Sequence, residues 1–199
     1  MSTLNAITSG AGGVALSGDT SGNLVIQSAG TNVATFTTGG NLTFSVANAG
    51  IQFNKSGGLT NTVLNDYEEG TFTPTVTGSS TNPTITYGQQ SGTYTKIGNL
   101  VYVAIQLGLS SRSGGSGNWQ VNLPFTSLAD SLYYGGFIGT IYGFTHSSGQ
   151  NQWGGRIQTG TAIGGIWDFN GTGGGDSWAQ ISTQGTGQCY LTMSFIYRV

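Results

Sequence analysis

The uneven placement of aromatic residues is the feature that most constrains how this chain can fold. Every Tyr and Trp lies at or beyond Tyr67, and the residues before it carry only Phe36, Phe44 and Phe53 as aromatics. The later part has the large side chains that a hydrophobic core requires. The earlier part is rich in Gly, Ala, Ser, Thr and Asn, so it can bury little apolar surface of its own. If the earlier part is ordered, something else must cover it.

The composition favours an all-β chain. Of the 199 residues, 36 are Gly, 6% are charged and 11% are aromatic. The glycines follow no collagen triplet, and the aromatic content is sufficient for a core. Glycine permits positive φ in tight turns, whereas Thr, Val, Ile, Tyr and Phe favour strands. Because no segment shows a sustained helical period, we expect many short strands and tight turns.

Three segments are predicted along the chain. Residues 1–16 form an extended leader of small residues, which we expect to anchor the protein to a neighbouring chain or shell. Residues 17–65 form a stem, and residues 66–199 form a head domain. The candidate anchoring residues are Met1, Leu4, Ile7 and Val14.

The stem is predicted to be an intertwined trimeric β-structure. Gly22-Asn23 and Gly40-Asn41 each precede a short strand of alternating residues. Such strands hold too few apolar positions for a core within one chain, so each chain would supply one face of a shared core. A flexible linker is the alternative, but alternating apolar residues argue against it. The predicted trimer core consists of Leu24, Ile26, Phe36, Leu42, Phe44 and Val46.

The head is predicted to be a β-sandwich of jelly-roll type. Residues 100–107 are apolar at nearly every position, which is typical of a strand buried on both faces. Residues 119–125, 137–144 and 189–197 supply further strands. Cys189, the single cysteine, lies in the last of these and is expected to be a buried structural thiol without a disulfide partner in the chain.

The charge pattern argues against several partners. Five Lys and Arg residues cannot build the basic stripe that nucleic acid requires. No amphipathic helix, apolar run of about 20 residues or signal peptide is present, so we expect no membrane insertion and synthesis in the cytoplasm. One His and one Cys cannot form a zinc site within a chain, and no Gly-rich loop leads into a helix, so no metal or cofactor is expected.

Several segments together resemble a known class of protein. The segments are Ala49-Gly50-Ile51-Gln52-Phe53-Asn54, the hinge sequence from Leu64 to Pro74, residues 92–101, residues 122–127 and residues 16–24. This set resembles a module of tailed-bacteriophage virion proteins of the tail-fibre or head-fibre and decoration type. The resemblance implies a homotrimeric fibre or knob on the virion surface, made in the host cytoplasm and bound to a capsid or tail protein. The short stem and the lack of a self-cleaving chaperone segment favour a small knob, a short fibre or a capsid decoration.

Carbohydrate binding is the hypothesis for the head. Loops at 149–153, 167–171 and 173–178 combine an aromatic ring with amide or carboxylate side chains, the pairing that sugar C–H faces and hydroxyls require. In the alternative interpretation Trp167 and Trp178 are core residues, which leaves Trp153 as the better candidate for exposure. The candidate glycan-binding residues are Trp153, Asn151, Gln152, Trp167, Asp168, Asn170, Asp176 and Trp178.

Catalysis is the competing hypothesis. A glycosidase needs two carboxyls about 5–9 Å apart, and the acidic residues of the hinge (Asp66, Glu68 and Glu69) or the pair Asp168 and Asp176 are the candidates. Turn formation and solvation also explain the hinge acids. No G-x-S-x-G nucleophile elbow is present with which His146 could form a catalytic triad, so we expect His146 to lie at the tip of a polar loop. We therefore expect a non-enzymatic surface protein that contacts host glycans. A capsid decoration without receptor binding and a trimeric polysaccharide depolymerase are the alternatives.

Overall fold

The computed structural model describes residues 20–46, 50–52, 63–64, 66–130, 132–147, 149–170, 177–181 and 187–199. These residues form fifteen β-strands and no α-helix, which confirms the prediction of an all-β fold. By contacts between Cα atoms the chain divides into two compact units, Met1–Asn65 and Asp66–Val199. The predicted leader, with Met1, Leu4, Ile7 and Val14, lies outside the described residues, as does Asp176.

The first unit contains a three-stranded antiparallel meander and a separate two-stranded ladder. Asn23 Oδ1 accepts a hydrogen bond from the Thr38 amide at 3.1 Å, which links the start of the first strand to the end of the second. The turn between these strands is Ala29-Gly30, and both residues have positive φ (51° and 78°), as a two-residue hairpin turn requires. The strands are β1 (Leu24–Ser28), β2 (Thr31–Phe36) and β3 (Leu42–Phe44) in the meander, and β4 (Ile51–Gln52) and β5 (Val63–Leu64) in the ladder.

The apolar residues of the meander share one face, here called the stem face. Because alternate residues of a strand point to the same side, pairing between the strands collects the predicted core positions in two rows. Among residues 20–46 only Ala34 is buried, whereas Phe36, Leu42 and Phe44 expose 43%, 44% and 40% of their surface. Ile26 and Val46 are also exposed. The two rows are Leu24–Phe36–Leu42 and Ile26–Ala34–Phe44.

The second unit is built on one ten-stranded antiparallel sheet. The strands lie side by side in the order β6-β8-β9-β15-β11-β12-β13-β10-β7, with β14 beside β13. Their bounds are β6 (Tyr67–Phe72), β7 (Val76–Gly78), β8 (Thr84–Ile97), β9 (Leu100–Ser113), β10 (Trp119–Asn122), β11 (Gly135–Tyr142), β12 (Gln152–Gln158), β13 (Ile163–Phe169), β14 (Ser177–Trp178) and β15 (Cys189–Arg198).

The core lies inside the curl of this sheet. Alternate residues of β9 and β15, from Val101 to Leu109 and from Cys189 to Tyr197, are buried. They belong to one cluster with residues of β10, β12 and β13, including Trp119, Ile157 and Ile166. Because β11 pairs with both β15 and β12, the predicted sandwich takes the form of one continuous curled sheet instead of two separate sheets.

Two expectations for individual residues have different outcomes. Cys189 is buried as predicted, and its burial raises the pKa of the thiol. The expectation that residues 100–107 are buried on both faces is wrong. Leu100 and Tyr102 point outward and expose 48% and 46% of their surface, so β9 has one core face and one outer face.

Two hydrogen bonds join the ends of the strand order. The Val76 amide on β7 donates to Tyr87 Oη on β8 at 2.8 Å, and Gln90 Nε2 on β8 donates to the Pro74 carbonyl at 2.9 Å. Strand β7 is last in the strand order and β8 is second. These contacts therefore close the curl around the core.

We expect Tyr87→Phe to lower the free energy of unfolding by about 1–3 kcal/mol, because the half-buried Val76 amide would lose its acceptor. Urea unfolding followed by tryptophan fluorescence measures the change. Tyr102→Phe is the matched control, since its ring lies on the outer face and its hydroxyl has no hydrogen bond among the described residues. Equal stability of the two variants would contradict the role of the Tyr87 hydroxyl in closing the curl.

Tyr197 should make the second unit sensitive to alkali. Burial raises the pKa of Tyr197 from 10.0 to about 12, so the folded state favours the neutral phenol. That contribution is complete below the unfolded pKa and is lost as the pH rises through the folded value. We expect wild type to lose more stability than Tyr197→Phe between about pH 9 and about pH 12. Urea titrations of both proteins at each pH measure this, and parallel losses would contradict it.

Candidate functional site

The outer surface of β12 and β13 carries a groove with aromatic walls. The strand pairing places Gly154 opposite Trp167 and Arg156 opposite Gly165, so Arg156, Trp167 and Phe169 stand on the same outer face. The groove has a volume of about 480 Å³ and is also lined by Tyr133, Tyr134, Gly135 and Gly155. We call this site, formed by Tyr133, Gly154, Arg156, Trp167 and Phe169, the aromatic groove.

Arg156 is held between aromatic rings. Its guanidinium carbon lies 4.3 Å from the centroid of the Tyr133 ring and 4.1 Å from that of Trp167. The Trp178 ring is 5.7 Å away and meets Trp167 edge-on, with centroids 5.5 Å apart and an interplanar angle of 83°. Neither of the two ion pairs among the described residues includes Arg156. The π faces of aromatic rings attract a guanidinium, and the N–H groups in the plane of the guanidinium can donate hydrogen bonds.

Glycines make room for the rings. A Cβ added at Gly154 would lie 3.1 Å from Phe169 Cε1. At Gly165 it would lie 2.9 Å from Trp178 Cζ3 and 2.4 Å from the Trp119 carbonyl oxygen. The absence of side chains at these two positions therefore lets aromatic side chains from neighbouring positions occupy the outer face of the sheet.

The three predicted tryptophans lie on different faces of the sheet. Trp153 is half-buried and packs against the core. Its ring stacks on His146 with centroids 4.0 Å apart and meets Phe144 edge-on at 6.4 Å. The prediction that Trp153 is the exposed aromatic is therefore wrong. Trp153 lies opposite the buried Asp168 in the pairing of β12 with β13, so both side chains are on the inner face of the sheet. Trp167 and Trp178, for which a core position was the alternative, stand on the outer face instead.

Asp168 is a structural residue and not a sugar ligand. It is completely buried, and its Oδ1 lies 2.8 Å from His146 Nδ1. Its Oδ2 accepts a hydrogen bond from the Ser147 amide at 2.6 Å. The prediction of Asp168 as a glycan-binding residue fails because the carboxylate faces inward. His146 is likewise held under Trp153, so it is not a free loop tip.

The remaining predicted binding residues lie near one end of the aromatic groove. Asn151 and Gln152 are exposed, and Gln152 pairs with Phe169 on the outer face. Asn170 is half-buried and follows Phe169 directly. The groove thus contains Trp167, which the sequence indicated, and Tyr133, Arg156 and Phe169, which it did not. The predicted amides are next to Phe169 but do not line the groove. The sequence could have indicated Arg156 as a site residue, because it is a single Arg within a segment of Gly and aromatic residues.

The hinge acids have structural partners. Asp66 forms an ion pair with Lys96, Tyr94 Oη donates to Glu68 Oε1 at 2.5 Å, and Tyr67 Oη donates to Glu69 Oε2 at 2.7 Å. Glu68 and Glu69 are neighbours in β6, so their side chains point to opposite faces of the sheet. The two glutamates therefore do not flank a common substrate position.

The described ranges contain no group of three or more His, Cys, Asp or Glu side chains that could hold a metal ion. They also contain no helix that could cross a membrane.

A second outer surface lies on β8, β9, β15 and β11. A concavity of about 380 Å³ there is lined by residues that include Tyr102, Ala104 and Phe137. Exposed apolar side chains continue from it across the sheet, among them Ile97, Leu100 and Ile196. We call this surface, defined by Ile97, Leu100, Tyr102, Phe137 and Ile196, the apolar outer face.

The fold has a counterpart among solved structures. The Dettilon tailspike protein is similar to 66% of this chain, with a TM-score of 0.53 and 21% sequence identity. The chain spans 24% of the length of that tailspike. No protein-family profile matches the chain, and no curated protein is significantly similar to it. The described fold is therefore one that also occurs as part of a phage tailspike.

Replacement of Asp168 should destabilise the second unit. We expect Asp168→Ala to lower the free energy of unfolding by about 1–3 kcal/mol, because the Ser147 amide and the His146 ring lose a buried acceptor. Urea unfolding gives the change, and near-ultraviolet circular dichroism reports the stacking of Trp153. Gln152→Ala, at an exposed position nearby, is the control and should change stability by less than about 0.5 kcal/mol. An Asp168→Ala protein as stable as this control would contradict the structural role.

Proposed function

We propose that this chain is a non-enzymatic structural protein of the surface of a tailed-phage virion. In this proposal it forms a homotrimeric short fibre or knob, and its second unit contacts host surface glycans during adsorption. The observation that carries the proposal is the aromatic groove, a concave site with aromatic walls and adjacent amides on a fold that also occurs in a phage tailspike. Aromatic rings beside hydrogen-bonding side chains suit the C–H faces and hydroxyls of sugars.

The stem face supports assembly into a trimer. Its two apolar rows are exposed in the single chain, and burial of such rows is the main driving force for association. Three meanders that turn their stem faces inward would cover them. The apolar outer face of the second unit offers further surface for contacts between copies.

Attachment to the virion is assigned to residues 1–16. The small side chains of this segment suit an extended strand clasped by a capsid or tail protein, with Met1, Leu4, Ile7 and Val14 as the apolar contacts. Synthesis in the host cytoplasm and display on the particle surface follow from the resemblance to phage fibre modules. The alternative is a capsid decoration protein without receptor binding. It would be attached to the virion and displayed in the same way, but it would make no contact with glycans.

A non-enzymatic role is supported by the state of the carboxylates. The hinge acids bind Lys96, Tyr94 and Tyr67, and Asp168 is buried and bonded to His146 and Ser147. Groups that are already hydrogen-bonded or buried are poorly placed to protonate or attack a glycosidic bond.

The whole proposal is tested with the purified full chain and a panel of bacterial surface polysaccharides. We expect binding without release of reducing ends, and labelling of intact virions by gold-conjugated antibody against the protein. Release of reducing ends would favour the depolymerase. Labelling of the capsid without binding to any polysaccharide or to host cells would favour the decoration protein.

We expect Phe44→Asp to convert the trimer to a monomer, because it places a charge in the centre of the stem face. Light scattering coupled to gel filtration measures the mass. Thr43→Asp is the matched control, since it adds the same charge one residue earlier, on the opposite face of β3. A Phe44→Asp protein that remains trimeric, or equal loss of the trimer in both variants, would refute assembly through the stem face.

A further inference from the structure

We propose that the aromatic groove binds a carboxylate-bearing sugar of an acidic polysaccharide, with Arg156 as the group that binds the carboxylate. This inference rests on the proposed function, because it names the class of glycan that the groove would recognise. Arg156 places a positive charge in this concave aromatic site on the outer face of the sheet.

The position of the guanidinium suits a carboxylate. Its carbon lies 4.3 Å and 4.1 Å from the ring centroids of Tyr133 and Trp167, and its N–H donors lie in the plane of the group. Parallel N–H donors of an arginine match the two oxygens of a carboxylate. Because Arg156 is only partly exposed, its attraction for an anion is stronger than that of a fully solvated arginine.

The site is prepared before the ligand arrives. The backbone of Arg156 pairs with Gly135 on β11 and with Gly165 on β13, so it is fixed on both sides. The rings restrict the side chain further. A donor that is already ordered loses less conformational entropy on binding, which favours affinity.

The rest of the groove suits a sugar ring. Its volume of about 480 Å³ falls in the range of about 300–1,000 Å³ that is usual for small-molecule sites. Gly154 carries no side chain on the outer face, so the Phe169 ring lies close to the backbone there and the groove stays open between Tyr133 and Phe169. The apolar face of a pyranose can stack on such aromatic walls while its carboxylate meets the guanidinium.

Arg156 is the one cation among the described residues that line the aromatic groove, which argues for one carboxylate per site. The net charge is −2 with five Lys and Arg residues in total. Lys96 is paired with Asp66, and Arg112 is buried and donates to the Gly114 carbonyl. A single cation of this kind can select an acidic sugar, whereas binding to nucleic acid depends on many neutralised phosphates.

The test uses the full chain with oligogalacturonate and with its methyl ester, in which a methyl group replaces the charge of each carboxylate. Calorimetry of wild type, Arg156→Gln and Arg156→Lys measures the dissociation constants. Arg198→Gln is the matched control, since it removes one positive charge from an exposed position on β15. Circular dichroism and the unfolding midpoint establish that each variant is folded.

We expect Arg156→Gln to weaken binding of the acidic oligomer about tenfold or more, as expected for the loss of a hydrogen-bonded charge pair. Arg156→Lys should bind with intermediate affinity, and Arg198→Gln should bind like wild type. Binding of the methyl ester should be weak in all four proteins. Because Trp167 touches the guanidinium, the acidic oligomer should also change tryptophan fluorescence in wild type and not in Arg156→Gln.

Four other binding results would contradict the site, the choice of a carboxylate, the class of glycan or the glycan-binding function. Unchanged binding in Arg156→Gln, or equal weakening in Arg198→Gln, would refute the site. Equal competition by a sugar phosphate would refute the choice of a carboxylate. Binding of neutral polysaccharides alone would refute the inference and leave the proposed function standing, whereas binding of no polysaccharide at all would refute the glycan-binding function itself.

Discussion

The architecture of the second unit depends on the closure of its curled sheet around the core, to which the contact between Tyr87 and Val76 contributes. These residues lie on β8 and β7, near opposite ends of the strand order, and the hydrogen bond between them holds the sheet in its curl. The curl presses the inner residues of β9 and β15 onto Trp119, Ile157 and Ile166. Since the interior is filled by side chains, any recognition of a ligand must take place on the outer face.

The sequence was informative where strands alternate regularly. The alternation of residues 189–197 correctly gave a strand with Cys189 buried, and the Gly-Asn pairs marked turns in which Gly22 and Gly40 have positive φ (73° and 80°). The same reasoning failed at β12 and β13. There Gly154, Gly155, Gly164 and Gly165 interrupt the alternation, so the sequence does not reveal which side chains face the core. That is why Trp153 was expected to be exposed although it faces the core.

Local sequence patterns also could not predict that the second unit has a single continuous sheet. Whether two halves of a β-domain are separate sheets depends on how one strand pairs with its neighbours, and here β11 pairs with β15 on one side and β12 on the other. These partners are distant in sequence. Periodicity reports which face of a strand is apolar, but it does not report which strand lies beside it.

Arg156 is difficult to explain as a residue that serves stability alone. A cation stacked on exposed rings contributes about 0.5–1 kcal/mol, and ordering a long side chain costs up to about 2 kcal/mol. No carboxylate among the described residues offsets the partial loss of its hydration. Glycines at 154 and 165 add a further conformational cost, because glycine loses more freedom on folding than other residues. An arrangement that stabilises the fold so little, yet fixes a cation and three rings in a concave site, is understandable if a ligand completes it.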